Sequence, residues 1–323
     1  MPPRFSGMKI PISPNSLIFF SGSTGNRWSR SNFAACGFSS RVAKSLQVFC
    51  SIKCVSLKSS YLFATFVSDL QYRFSPRDRN AVTQNLQSIL NTKGDVSRET
   101  REVFLNFGRY LAEFFKDNFL SKEFIRSHVQ VSNIDRIDQA LKGGKGAIII
   151  TAHIGNWELG ALTLGEFGYR LMVLALPHKE RPVNDLFNTQ RSKKGITVVP
   201  TSVSIRRLIE TLRENKIIAL AADRDFGNNG EVMPFLRKKV LIPKGAAIFA
   251  LKTGAPIIPV FLIRKDEGRF NLMVEEPIYP AKQFKGEIPQ GELVNLMKIY
   301  LKVIEDKIYQ YPTQWLMFRR YWV

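Results

Sequence analysis

Histidine is scarce in this chain: three residues, His128, His153 and His178, among 323. Cysteine is as rare, and Cys36, Cys50 and Cys54 all fall in the leading region. That excludes a disulfide framework and any paired metal-ligand spacing, so the thiols read as reduced and incidental. No apolar run reaches the roughly 18 residues of an orthodox transmembrane helix. Acidic residues are missing altogether from Met1 to Ser68, where Arg4, Lys9, Arg27, Arg30, Arg41, Lys44, Lys53 and Lys58 supply +8 of the formal +20 charge. There is no internal repeat and no glycine-rich phosphate loop. "KGGKGA" at 142–147 precedes a strand candidate instead of following one and reads as a turn.

What is present is enough to build a globular core, with 45% hydrophobic residues. The excess of basic charge points to a negative partner: nucleic acid, an anionic membrane surface, or an acidic carrier or substrate. A nucleic-acid partner lacks support, because no zinc, helix-turn-helix or RNA-recognition signature accompanies the charge. Residues 1–40, rich in Ser, Asn, Arg and Gly, read as disordered, as a targeting segment, or as an over-extended start. The stretch 42–70 is apolar but interrupted by Lys44, Lys53 and Lys58. It suits a helix in the headgroup region whose lysines snorkel, or equally one packed on the main domain. The expected organisation is a leading segment (1–40), an amphipathic membrane-associated helix (41–72) and one α/β domain (75–323).

From Ser75 onward, "NAVTQNLQSIL" and "RETREVFLNFGRYLAEFFKDNFL" carry apolar residues at helical spacing. Strand candidates then follow at 146–152, 169–176, 195–200, 216–223, 255–264 and 269–280, with helix candidates near 157–167, 182–193, 202–214 and 244–253. Short apolar strands alternating with helices predict an α/β fold with a largely parallel central sheet flanked by helices. Ligands bind such sheets outside the carboxyl ends of the strands. That rule singles out His153, after "AIIITA", and the Asp223-Arg224-Asp225 cluster, after "IIALAA".

Glu158 follows His153 by five residues, which on one helix would set them about 140° apart. Gly155 permits a sharp turn and Asn156 is a good N-cap, so the chain can fold back and bring the carboxylate to the imidazole. A histidine whose second nitrogen is held by a carboxylate is a general base of fixed tautomer. An isolated H-x4-E also fits a satisfied structural histidine and a glutamate complementing a helix dipole. Its place at a strand end, beside a second charged cluster, favours chemistry. His128 and His178 have no such context.

In order and spacing, "HIGNWELG", "DRDFGNNGEVMPFL", "PKGAAIFALKTGAPIIPVFLIR" and "YPTQWLMFRRYW" resemble the bacterial lipid A biosynthesis late acyltransferases, the lauroyl and myristoyl transferases of the lysophospholipid acyltransferase superfamily. The resemblance covers roughly residues 80–322. It implies a glycerol-phosphate-acyltransferase-like fold with membrane-interacting N-terminal helices, at the cytoplasmic face of a bacterial inner membrane. It also implies O-acyl transfer with no metal, cofactor or covalent intermediate. His153, oriented by Glu158, would deprotonate a lipid hydroxyl that attacks the thioester of an acyl carrier protein; CoA is the alternative donor. Arg191 matches a family arginine suited to a phosphate or an oxyanion. Asn156, Asp223, Arg224, Asp225 and Lys244 fall in the motifs expected to bind the anionic glycolipid acceptor or the acyl chain, with Asp223 holding Arg191 or Arg224. Family members usually begin with a clear membrane span, where this sequence offers only the lysine-interrupted stretch 42–70.

Two other enzyme readings use the same residues. One is acyl transfer from acyl-CoA to another glycolipid or a lysophospholipid. The other takes Asp223-Arg224-Asp225 as the D-x-D metal site of a glycosyltransferase, against which the central arginine would oppose a cation.

Overall fold

The computed structural model describes residues 56–115, 121–175, 188, 191–192, 196–200, 205–225, 229–266 and 268–322. Cys36, Cys50, Cys54, His178, the expected 1–40 segment and most of the 182–193 helix candidate lie outside them. Three helices come first: α1 (Leu57–Phe74), α2 (Pro76–Ile89) and α3 (Ser97–Phe115). Ser56 caps α1, its Oγ accepting from Ser59 N at 3.2 Å. Pro76 starts α2, where a missing N–H costs nothing. Helix α1 lies close on α3 through Tyr61, Ala64 and Ser68, an approach that Gly108 permits: a Cβ there would stand 2.1 Å from Ser68 Oγ.

The α/β body follows as α4 (Lys122–His128), β1 (Val129–Ser132), α5 (Asp135–Leu141), β2 (Ala147–Thr151), α6 (Trp157–Glu166), β3 (Leu171–Ala175), β4 (Thr197–Pro200), α7 (Ile205–Arg213), β5 (Ile217–Ala221), the hairpin β6 (Glu231–Phe235) and β7 (Lys238–Ile242), α8 (Gly245–Thr253), β8 (Ile257–Asp266), β9 (Arg269–Val274) and α9 (Gln290–Gln310). Seven strands form one sheet in the order β1-β9-β8-β2-β5-β3-β4. All neighbours pair parallel except β8 with β9. The largely parallel α/β architecture expected from the sequence is therefore the observed one.

The central strands are apolar along their whole length because both faces are covered. Side chains alternate across β2. Ile148 and Ile150 pack with Leu212 of α7, Ala250 of α8 and Tyr300 of α9; Ala147 and Ile149 pack with Ile137 of α5 and Leu159 of α6. A third cluster joins Tyr61, Val82, Phe104 and Phe107 to Phe318 near the carboxyl end. The described part of the 42–70 stretch thus packs on the body through one face of α1. Its other face leaves Leu62, Phe66 and Phe74 about 60–66% exposed and Leu70 42% exposed. No described helix is long and apolar enough to cross a membrane.

The sequence candidates do not include α4, β1, α5, the β6–β7 hairpin or α9, and the last strand stops at Val274 instead of reaching 280. The hairpin carries no Asn-Gly or Asp-Gly turn signal: Leu236 and Arg237 adopt positive φ of 50° and 69° themselves. Tertiary contacts hold them there. The Leu236 side chain is fully buried, and its N–H donates to Glu305 of α9.

Candidate active site

Strands β2 and β5 are parallel neighbours with Thr151 opposite Ala221, and the ladder runs one step further through Ala222 N–H to Thr151 O at 2.8 Å. Two residues beyond that paired end, His153 and Asp223 arrive side by side at the carboxyl edge of the sheet. His153 Nδ1 lies 2.8 Å from Asp223 Oδ1, and His153 N–H donates to Asp223 Oδ2 at 3.0 Å. Trp315 Nε1–H donates to the same Oδ2 at 2.9 Å, and Tyr321 O–H donates to the Asp223 carbonyl.

Asp223 is wholly buried, which by itself would raise its pKa; the His153 charge and the hydrogen bonds from His153 and Trp315 outweigh burial and hold the carboxyl at about 2. An ionised carboxylate only accepts, so His153 carries a proton on Nδ1 and Nε2 is its basic nitrogen. The ring keeps 18% of its surface exposed and meets Trp157 edge-on at 5.1 Å. Tyr110 stacks behind Trp157 at 4.5 Å.

The turn leading out of β2 is built as its sequence suggests. Gly155 has φ +62°, and a Cβ there would come within 2.0 Å of the Leu262 carbonyl oxygen. Asn156 Oδ1 accepts from Leu159 N at 3.0 Å, capping α6. The consequence differs from the expectation. Helix α6 begins at once, and Glu158 in its first turn faces Arg191, not the imidazole. Both Glu158 oxygens receive the Arg191 guanidinium, Oε2 from Nε at 2.9 Å and Oε1 from Nη2, in a pair whose side chains are each 8% exposed.

Three expectations are corrected by this geometry. The carboxylate against His153 belongs to Asp223, because parallel register delivers it there, whereas Glu158 is committed to Arg191. Arg191 is held by Glu158, not by Asp223, whose oxygens accept from the N–H groups of His153 and Trp315. Asn156 is buried with both ends of its amide engaged inside the protein, Oδ1 on Leu159 and Nδ2 on Glu113, so it shapes the turn instead of facing a substrate.

Arg224 is buried beside Asp223. Asp225 Oδ2 accepts from Asn229 N at 3.2 Å, and its carbonyl from Arg319 Nη2 at 3.4 Å. Lys244 stands at the N-cap of α8, its carbonyl accepting from Ile248 N. His128, outside this site, stacks on Phe124 at 4.1 Å.

Several residues of the site carry little in the sequence to show their role. Trp315 and Tyr321 lie in the late aromatic motif, which marked them without saying what they touch. Glu113, Arg264 and Tyr61 form a buried cluster under Asn156. The one sequence signal, for Glu113 and Arg264, is a charged residue set in an apolar run, "YLAEFF" and "VFLIR".

The family model described as "Bacterial lipid A biosynthesis acyltransferase" matches residues 45–323. The phosphatidylinositol mannoside acyltransferase of Mycobacterium tuberculosis (strain ATCC 25618 / H37Rv) is 25% identical over 224 residues, covering 68% of each chain. Its counterpart in Mycolicibacterium smegmatis (strain ATCC 700084 / mc(2)155) is 25% identical over 227 residues, 69% of this chain and 72% of that one.

Proposed function

Because the chain belongs to the bacterial lipid A biosynthesis acyltransferase family and is an acyltransferase, we propose that it moves a fatty acyl chain from an acyl carrier protein thioester to a hydroxyl of an anionic glycolipid of the lipid A precursor type, with His153 as general base. The observation that carries this reading is the His153–Asp223 pair at the carboxyl edge of a parallel sheet. Nε2 of His153 takes the hydroxyl proton as the oxygen attacks the thioester carbonyl. The C–O bond forms, the C–S bond breaks, and the imidazolium returns its proton to the leaving thiolate. Asp223 keeps Nδ1 protonated throughout and stabilises the transient positive ring. The Glu158–Arg191 pair ties the 191–192 segment to the first turn of α6 and keeps a guanidinium beside the catalytic turn, where it suits a phosphate or the developing oxyanion. The reading needs neither metal nor cofactor, only the thioester as co-substrate.

The proposed place of action is the cytoplasmic face of a bacterial inner membrane. The outward apolar row Leu62, Phe66, Leu70 and Phe74 on α1, together with the +20 charge, supports docking on an anionic lipid surface. A second reading keeps the mechanism and changes the substrates: the printed names of the mycobacterial relatives favour a mannoside glycolipid acceptor, with acyl-CoA as donor. One assay separates them. Radiolabelled acyl-carrier-protein and acyl-CoA donors are offered to a Kdo-bearing lipid A precursor, a phosphatidylinositol mannoside and lysophospholipids, using membranes with wild type or His153→Ala. Transfer to the lipid A precursor from the carrier protein, lost in His153→Ala, is expected. Transfer only to the mannoside moves the substrate class, and activity surviving in His153→Ala overturns the mechanism.

A further inference from the structure

A heavily satisfied buried carboxylate also lies away from the sheet, on helix α3. Glu113 of α3 is 1% exposed and accepts four hydrogen bonds. Oε1 takes Tyr61 O–H at 2.7 Å and Arg264 Nε at 2.8 Å; Oε2 takes Arg264 Nη2 at 2.8 Å and Asn156 Nδ2 at 2.7 Å. Arg264, the residue after the apolar run of β8, spends its Nη1 on Asn106 Oδ1 at 3.0 Å. The Gln314 side chain clamps its backbone, donating to Arg264 O at 2.9 Å and accepting from Arg264 N at 3.0 Å. Burial would lower the Arg264 pKa, but the Glu113 charge reverses this and holds the guanidinium ionised.

An ion pair in this position is a poor way to gain stability. Taking both charges out of water is costly, and well-packed apolar side chains of similar volume are often as stabilising or more so. Its location suggests another duty. The neutral donor on Glu113 that belongs to the active-site turn is the amide of Asn156, and that amide has one workable orientation. Turned over, its oxygen would face a carboxylate and its NH2 would face the Leu159 N–H. Glu113 therefore fixes which end of Asn156 caps α6. Asn156 N–H is held by Leu262 O at 3.0 Å and Gly155 N–H by Gln314 O at 2.9 Å, so the residues between His153 and Glu158 are pinned to the same strand and carboxyl-terminal segment that carry Arg264 and Trp315.

We propose that Glu113, clamped by Arg264 and Tyr61, is a positioning residue for acyl transfer: through Asn156 it sets the turn that holds His153 over Asp223 and Glu158 against Arg191. The inference rests on His153 being the base, but its test does not rest on activity alone.

The test exchanges donor and acceptor across the Glu113–Asn156 contact. Asn156→Asp keeps a good cap but sets two carboxylates face to face. Glu113→Gln combined with it restores one N–H to oxygen contact and the original charge of the cluster. In full-length protein, Asn156→Asp is expected to lower kcat at least tenfold with both KM values within about threefold, and the double variant to recover most of it. In parallel, the Nδ1–H signal of 15N-labelled His153, read without substrate, is expected to shift in Asn156→Asp and return in the double variant. An unmoved His153 signal, or a loss of kcat that follows the melting temperature with no recovery in the double variant, overturns the positioning role. Wild type inactive on every donor and acceptor would instead sink the acyl-transfer reading, while the His153 signal still decides the positioning.

Discussion

Asp223→Asn is the perturbation that most directly tests the reading of the site. Asp223 Oδ2 receives two N–H donors, from the His153 backbone and Trp315, while Oδ1 faces one, His153 Nδ1. An asparagine has one oxygen to offer and will place it where two donors converge, which puts its NH2 against Nδ1. Nδ1 must then accept, and the imidazole proton moves to Nε2, the nitrogen that should be taking one from the hydroxyl. The ring stays in place in the wrong tautomer. Where the same change has been made in a serine protease triad the cost in kcat is about 10⁴. A fall of about 10³–10⁴, or on the order of 4–5.5 kcal/mol in the barrier, is expected here, with KM little changed. The assay is acyl transfer at saturating donor and acceptor, beside a melting curve showing a folded variant. Glu158→Gln is the control: it leaves the tautomer intact and weakens the hold on Arg191. If Asp223→Asn keeps more than a tenth of the wild-type kcat while Glu158→Gln loses all of it, Glu158 is the orienter and the argument from register fails.

Gly155→Ala should unfold or displace the turn, since its φ of +62° and the 2.0 Å approach to Leu262 O forbid a Cβ; the expected outcome is a lower melting temperature and loss of transfer together. Replacing Leu62, Phe66, Leu70 and Phe74 with serine should weaken binding to anionic vesicles at least tenfold in co-sedimentation while leaving the melting temperature nearly unchanged, because these side chains face outward. Unchanged binding would remove α1 from the membrane contact. Asp223 also predicts an acid limb. Its folded pKa of about 2 lies below an unfolded value of about 3.9, so the stability it contributes is fully present above about pH 4. It is lost as pH falls toward 2 and amounts to on the order of 2–3 kcal/mol. In Asp223→Asn, denaturant midpoints should fall less steeply between pH 4 and 2; a slope equal to wild type would show that Asp223 does not titrate in that range.

Local pattern made most of the sheet legible. Runs such as "AIIIT" and "IIALA" have no polar face, so they could only be strands covered on both sides, and the turn residues Gly155 and Asn156 declared where β2 gives way to α6. What escaped was set by partners distant in the chain. The β6–β7 turn is held by burial and by Glu305 instead of turn-forming residues, and Glu113 looks like any helix glutamate until Arg264, 151 positions later, is packed against it.

The sequence by itself determined most of the sheet, its carboxyl edge, and that His153 and the Asp223 cluster would meet there, because those follow from periodicity and chain direction. Which carboxylate the imidazole receives was decided only by the tertiary structure. His153 and Glu158 are close in sequence, but the start of a helix points the second away from the first, while two parallel strands in register bring in Asp223 from 70 residues on. Proximity along the chain is a weak guide to contact wherever the chain changes direction, and a catalytic turn is such a place.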